Sequence, residues 1–253
     1  MQFQDYKEVK DFLDEYVLKI NTPDFIQNDP VQFPRRYSDL RDIEIVGMLI
    51  ATISWGKRNM ILRDAERMLS EMGASPFDYV MSADLDEDET YTIHRTFNKS
   101  DFQFIVKGLR EVYKRYDSME SLFIGKDNFE GIKSLRDIIL CANNMPGHRG
   151  EKHVSNPDKN SACKRLHMFL RWMSRKDGIV DIGCWKNVYP SSLYIPLDVH
   201  VGNISRRLGL LNRAQNDKKS VFELTNILRE FDKEDPIKYD FALFGIGEGG
   251  FMD

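Results

Sequence analysis

Apolar residues recur at intervals of three and four along most of the chain, the spacing that turns one side of a helix towards a core. The pattern is clear at Ile43, Val46, Leu49, Ile50 and Ile53, and again at Phe102, Ile105, Leu109, Val112 and Tyr116. It returns at Leu166, Phe169, Leu170 and Met173, at Val201, Ile204, Leu208 and Leu211, and at Val221, Leu224, Leu228 and Phe231. No stretch alternates apolar and polar residues as a half-buried strand would, so the pattern predicts an all-α protein. It breaks at NTPDFIQNDPVQFP (21–34), at the acidic SADLDEDET (82–90) and at NNMPGHRGEKHVSNPDKN (143–160). The acidic run reads as a solvated connection. The last break is the longest and carries His148, Arg149, Lys152 and His153, and long loops are often functional.

Composition adds bounds. With 253 residues, 42% hydrophobic and 30% charged, the chain has ordinary globular values and enough length for one large domain or two lobes sharing a cleft. Three scattered cysteines are too few for a disulfide framework, a four-cysteine zinc site or an iron–sulfur cluster, and fit a reducing compartment. No apolar run approaches the ~20 residues of a membrane span, and the opening MQFQDYKEVKDFLDEY is acidic, unlike a signal peptide. The expected location is the cytoplasm.

Charge changes the picture more. A net charge of −4 argues against coating nucleic acid by bulk charge, yet Lys159 to Lys176 holds six Lys or Arg residues and no acid. From Val199 to Asn216 acids are again missing while Arg206, Arg207 and Arg213 are present. One such segment is most simply a solvated helix face. Two neighbouring ones point to a polyanion, with nucleic acid the leading partner. Phosphate binding needs cations beside open helix N-terminal amides, and NPDKNSACKR offers Asn160 or Ser161 as a polar N-cap next to Lys164 and Arg165.

The stretch IPLDVH brings an apolar run to an end in Asp198 and His200 where a helix should begin, 34 positions after Lys164 opens another. A lysine and an aspartate can cooperate on a sugar C1′. The amine attacks to form a Schiff base, and the carboxylate orients or deprotonates the nucleophile and stabilises a cationic sugar. The plainer alternatives are an Asp198 that only caps its helix and a Lys164 that is only a phosphate contact.

IPLDVHVGNISRRLGLL resembles the segment of helix-hairpin-helix DNA glycosylases in which an apolar lead ends in the catalytic aspartate, followed by Thr or Val, His and a helix with Arg. The resemblance places Asp198 on that aspartate and His200 on a position that contacts a DNA phosphate. SACKRLHMFLRWM resembles the helix carrying the catalytic lysine, with Lys164 at that position. EIVGMLIATISWGKRNMILRDAERML (44–69) resembles the early helix pair whose connecting loop, here Trp55, Gly56 and Lys57, approaches DNA. The similarity covers roughly residues 40 to 231, and its specific part is the lysine and aspartate segments. The chain also resembles an uncharacterised bacterial family of this length with the pattern KRLxMFLRWM followed by PLDxHV, which identifies a lineage rather than a reaction.

Two departures stand out. The superfamily's Pro-Gly-x-Gly hairpin directly precedes the lysine, whereas MPGHRG is followed by thirteen residues before Lys164, which points to an absent or remodelled hairpin. The lysine–aspartate separation exceeds that of endonuclease III and is nearer to the archaeal 8-oxoguanine DNA glycosylases.

The resemblance implies a two-lobed helical fold, with a central lobe at 40–175 and a second at 1–39 plus 176–253, and with Lys164 and Asp198 meeting in the cleft. It implies release of a damaged base from flipped-out DNA, with strand nicking by β-elimination and no cofactor or metal. Lys57, Arg149, Asn160, Ser161, Arg165, His200 and Arg206 are the expected DNA contacts. Trp55 and Trp185 are candidates to stack on the extruded base, although a Trp in a helical protein is more often a packing residue, as Trp172 should be. Two rivals remain: a catalytically silent nucleic-acid-binding protein, and a metal-dependent hydrolase using His153, Asp198 and His200. No H-E-x-x-H or paired-cysteine motif supports the second. The terminal KYDFALFGIGEGG lacks the Lys-Ser/Thr of a phosphate loop and should pack Phe241, Leu243 and Phe244.

Overall fold

The computed structural model describes residues 5–85, 91–144 and 146–249. The fold is all-α. Eleven α-helices occur among these residues, and the strands are confined to one short hairpin, β1 (Thr92–His94) with β2 (Phe97–Asn98). That hairpin is too short to show as alternation, and its turn is made by Arg95 at φ +50°. No helix among the described residues is long and apolar enough to cross a membrane. Of the acidic run at 82–90, residues 86–90 lie outside the described residues.

The chain divides into two compact units, one of residues 26–156 and one in which 1–25 join 157–253. Both chain ends do share a unit. The boundaries, however, fall at 25/26 and 156/157 rather than 39/40 and 175/176, so the Lys164 helix belongs with the chain ends.

The 26–156 unit is built around α3 (Leu40–Ile53), which is buried continuously from Asp42 to Ile53. Asp39 caps it by accepting from the Arg41 amide at 2.9 Å. Its buried Glu44 accepts from the Tyr113 hydroxyl at 2.8 Å and the Met119 amide at 3.0 Å, so the acid is matched with donors instead of stranded. α4 (Arg58–Met72) and α5 (Pro76–Ser82) follow, and after the hairpin α6 (Lys99–Arg115) opens with a capping box between Asn98 and Asp101. α6 packs along α7 (Asn128–Asn143). Among the described residues of the long break at 143–160 there are only 3-10 turns, at Arg149–His153 and Pro157–Lys159. No helical hairpin precedes Lys164 there.

The other unit contains α1 (Tyr6–Ile20), α8 (Lys164–Ser174), α9 (Val199–Arg207), α10 (Lys218–Phe231) and α11 (Tyr239–Gly249), while the short α2 (Pro23–Gln27) carries the first crossing between units. α11 lies against both α1 and α9. Two glycines permit this: a Cβ on Gly245 would lie 2.7 Å from Ile20, and one on Gly247 would lie 3.0 Å from the His200 Cβ. α9 is shorter than its apolar pattern implies, because Leu208 is already the C-cap and Gly209 turns the chain at φ +73°. α8 is enclosed on all sides, with every residue from Leu166 to Ser174 buried. Its C-terminal carbonyls are covered by the returning chain, since the amides of Ile182 and Gly183 donate to Trp172 and that of Trp185 to Met173.

Candidate Lys–Asp site

Lys164 is the first residue of α8. The helix starts after Cys163, whose backbone is left-handed at φ +49° and which makes no side-chain cap. Ser161 accepts from the Cys163 amide at 3.2 Å, one step outside the helix, so it shapes the approach rather than capping the first turn. Asn160 donates from Nδ2 to Asp217 at 2.9 Å, and its carbonyl accepts from the Lys218 amide at 3.1 Å. The approach to Lys164 is thereby stitched to the start of α10. Asp217 caps α10 and is held well below the usual carboxylate range, first by its bond to Arg213.

The partner arrives from the other direction. Leu193 to Leu197 are buried, and the Ile195 amide donates to Thr225 on α10 at 3.1 Å. The run therefore delivers Asp198 at a fixed point. Asp198 does cap α9, but with one oxygen only: Oδ1 accepts from the Val201 amide at 3.0 Å. Its carbonyl accepts from Asn216 Nδ2 at 2.9 Å. Oδ2 is left facing the Lys164 ammonium at 3.7 Å. The two side chains are 27% and 22% exposed, so the pair is half-buried with access to solvent. At that distance they attract as ions without a direct hydrogen bond, which leaves Nζ, otherwise 3.8 Å from Met168 Sδ, able to take another partner. The cap and the ion pair thus occupy different oxygens of one carboxylate.

Beneath the pair runs a chain of buried ions. Arg171, seven positions after Lys164 and so on the same face of α8, donates to Asp181 at 3.1 Å and to Asp240 of α11. Arg175 donates to Asp181 at 3.1 Å, to Asp235 at 2.8 Å and to Asp177. Both guanidiniums also lie over the Phe241 ring, Arg171 at 4.3 Å and Arg175 at 5.3 Å. Burial pushes Asp181 and Asp240 up to about 6, against the opposing pull of the arginines. For Asp240 the charges that follow include Asp198, which raises it, and Lys164, which lowers it.

These pairings correct the reading of Lys159–Lys176 as a cationic face. Arg171 and Arg175 are 5% and 4% exposed and serve the interior. In the second basic segment Arg206 donates to the carbonyls of Arg213 at 2.6 Å and Gln215 at 3.3 Å and to Asn216 Oδ1 at 2.6 Å, closing the turn after α9. Arg213 donates to Asp217. Lys159, Lys176 and Arg207 are exposed, and Arg165 is half-buried with burial pushing it down to about 10. His200 is exposed, its ring edge-on to Phe244 at 6.3 Å. Phe241 and Leu243 are buried as expected, and Phe244 is half-buried.

Trp185 is 4% exposed and edge-on to Phe169 at 5.5 Å, so its ring is core rather than an open platform. Trp172 is fully buried. Trp55, in the other unit, is half-buried beside two histidines: His153 stacks on it at 5.6 Å, and His94 meets it edge-on at 4.9 Å. His94 in turn bridges Asp64 at 2.7 Å and the Trp55 carbonyl at 2.8 Å. Lys57 is exposed at the N-cap of α4, and Arg149 donates to the Thr96 carbonyl at 2.7 Å and pairs with Asp101 at 3.1 Å. His153 lies 3.3 Å from the same Asp101. Among the described residues no group of three or more His, Cys, Asp and Glu could hold a metal ion, so the proposed ligands His153, Asp198 and His200 do not form one.

Asp240 escapes a reading of the sequence for motifs. The available signal is an acid inside the apolar run YDFALF, which has to find a cation to be buried, paired with arginines in an acid-free helix.

The model of a family described as Protein of unknown function (DUF2400) matches residues 29–248. No curated protein and no solved structure matches the chain.

Proposed function

We propose that this chain, which belongs to the DUF2400 family, releases a damaged base from DNA through Lys164 and Asp198. The observation that carries the reading is the half-buried ion pair between the Lys164 amine and the Asp198 oxygen not used for capping. In the proposed reaction Asp198 takes a proton from the Lys164 ammonium, and the nitrogen lone pair bonds to C1′ as the C1′–N bond to the base breaks. The bond's electron pair leaves with the base, which takes up a proton. The C1′–O4′ bond then opens, O4′ is protonated, and the lysine is left as an iminium. Loss of a C2′ proton expels the 3′ phosphate and nicks the strand. Once Asp198 has passed that proton on to the departing base, it is again an anion and balances the positive charge of the iminium at C1′.

Asp198→Asn tests this directly. Asn keeps the oxygen that caps Val201 and loses the charge facing Lys164, so base release from uracil- or 8-oxoguanine-containing duplex should fall by about 10²–10⁴-fold with DNA binding and folding retained. Unchanged release would make Asp198 a cap and nothing more. Loss of release in the wild type as well, with binding intact, would favour a catalytically silent nucleic-acid-binding protein.

Binding itself should be weaker in salt dependence than the sequence suggests. Nine Lys or Arg residues in the two basic segments would give a log–log salt slope of about −8, but with Arg171, Arg175, Arg206 and Arg213 engaged by partners within the protein the slope should be about −4.5. Anisotropy titrations with duplex DNA in a salt series read it. No detectable binding even at low salt would remove the nucleic-acid reading.

A further inference from the structure

We infer that Asp240 is a positioning residue for the Lys164–Asp198 pair, holding a buried negative charge that favours a cation at the Lys164 nitrogen. The geometry is that of an anchored carboxylate under an ion pair. Asp240 is 6% exposed on α11, and its Oδ2 accepts from Arg171, which the Asp181 bond at 3.1 Å holds from the other side. Arg171 shares the face of α8 that Lys164 begins, so the anchor and the amine ride on one rigid element.

The balance of charge decides the sign. Arg171 and Arg175 are matched by the buried Asp181 and Asp240, with the half-buried Asp177 and Asp235 at the outer end, so loss of the Asp240 charge leaves the buried ions with an excess of cation. Charged groups near Asp240 include Arg171, Asp181 and Lys164 from α8 and the segment after it, and Asp198 from the start of α9. Of these, Lys164 is the cation with access to solvent, and the one whose charge state the proposed chemistry changes. An anion beneath it, in a poorly screened interior, stabilises the ammonium before reaction and the iminium after it. Asp240 sits at about 6, so this influence is present at neutral pH and fades on acidification.

The iminium half of the inference rests on the proposed base-releasing reaction, whereas the ammonium half does not. The test therefore uses the protein without nucleic acid. Trace acetylation with acetic anhydride, read by peptide mass spectrometry, gives the reactivity of Lys164 relative to exposed Lys159 as a function of pH. In Asp240→Asn the ratio should rise by about threefold or more at pH 8, because the ammonium has lost its support, and should converge on the wild type as pH falls towards 5. Asp240→Glu, which keeps the charge, should return it towards the wild-type value. A ratio equal to wild type at every pH in a folded Asp240→Asn protein overturns the inference. Should that variant fail to fold, Asp240→Glu and the wild type are compared: both must show the ratio fall in a step near pH 6, where Asp240 and Asp181 ionise, and curves without that step overturn it. If the labelling shift is found while no variant affects base release, the coupling stands and the reaction proposed for the pair fails.

Discussion

Lys164→Gln should abolish covalent attachment of the protein to abasic duplex DNA in the presence of borohydride, a loss of at least about 10³-fold. Gln approximates the length of the side chain and has no nucleophilic amine. The abasic substrate bypasses base recognition, so the result reports only whether an amine sits beside C1′. Lys159→Gln, five positions earlier in an exposed 3-10 turn, should leave the adduct intact, and peptide mapping should find the sugar on Lys164. Absence of any adduct in the wild type, together with base release that still depends on Asp198, would reduce Lys164 to a phosphate contact and make water the nucleophile.

Arg171→Met should destabilise the fold by about 3–5 kcal/mol, measured by urea unfolding at pH 8. The arginine is 5% exposed and holds Asp181 and Asp240 together, so its removal leaves two buried carboxylates short of a partner. The pH dependence has a definite sign. Both carboxyls already sit at about 6 in the folded protein, above the unfolded value of about 3.9, so the native state binds more protons than the unfolded one between those values. Without Arg171 they rise further, and protonation removes the buried charge. The deficit of the variant should therefore shrink at pH 5 and be largest at pH 8. A loss below about 1 kcal/mol at both would show that the buried ions stabilise little.

What could be read from the sequence follows the range of the forces involved. The helices at α3, α6, α8 and α10 are legible because a 3.6-residue period is a local property. The placement of Asp198 at a helix start is equally local, and Lys164 could be paired with it because both segments resemble a known arrangement. Asp240 could not be found in that way, since its role depends on α11 bringing it to Arg171, 69 positions earlier in the chain. The charge reading failed for the same reason: a tally along the chain sees Arg171 and Arg175 without the aspartates that fold onto them. Trp185 looked available because a Trp beside a loop gives no local sign of the Phe169 ring that covers it. The boundary at 156/157 was missed because no composition shift marks it; it is set by the bonds that tie Asn160 to α10.

The division of the chain also orders its assembly at the ribosome. Residues 26–156 are contiguous, so the elements on which α3 and α6 mainly pack, from the turns before α3 to α7 and the turn at Arg149–His153, have been made once residue 156 is reached. α1 is synthesised before the inserted unit, yet the partner that covers it, α11, is made after that unit, and Phe25 likewise waits for Phe241. Val9, Leu13 and Val17 must therefore remain without their native cover while the inserted unit is made. The inserted unit matures while the unit that contains Lys164 and Asp198 is still open, and the pair is closed over its buried ions only when Asp240, made well after the inserted unit, takes its place beside Arg171.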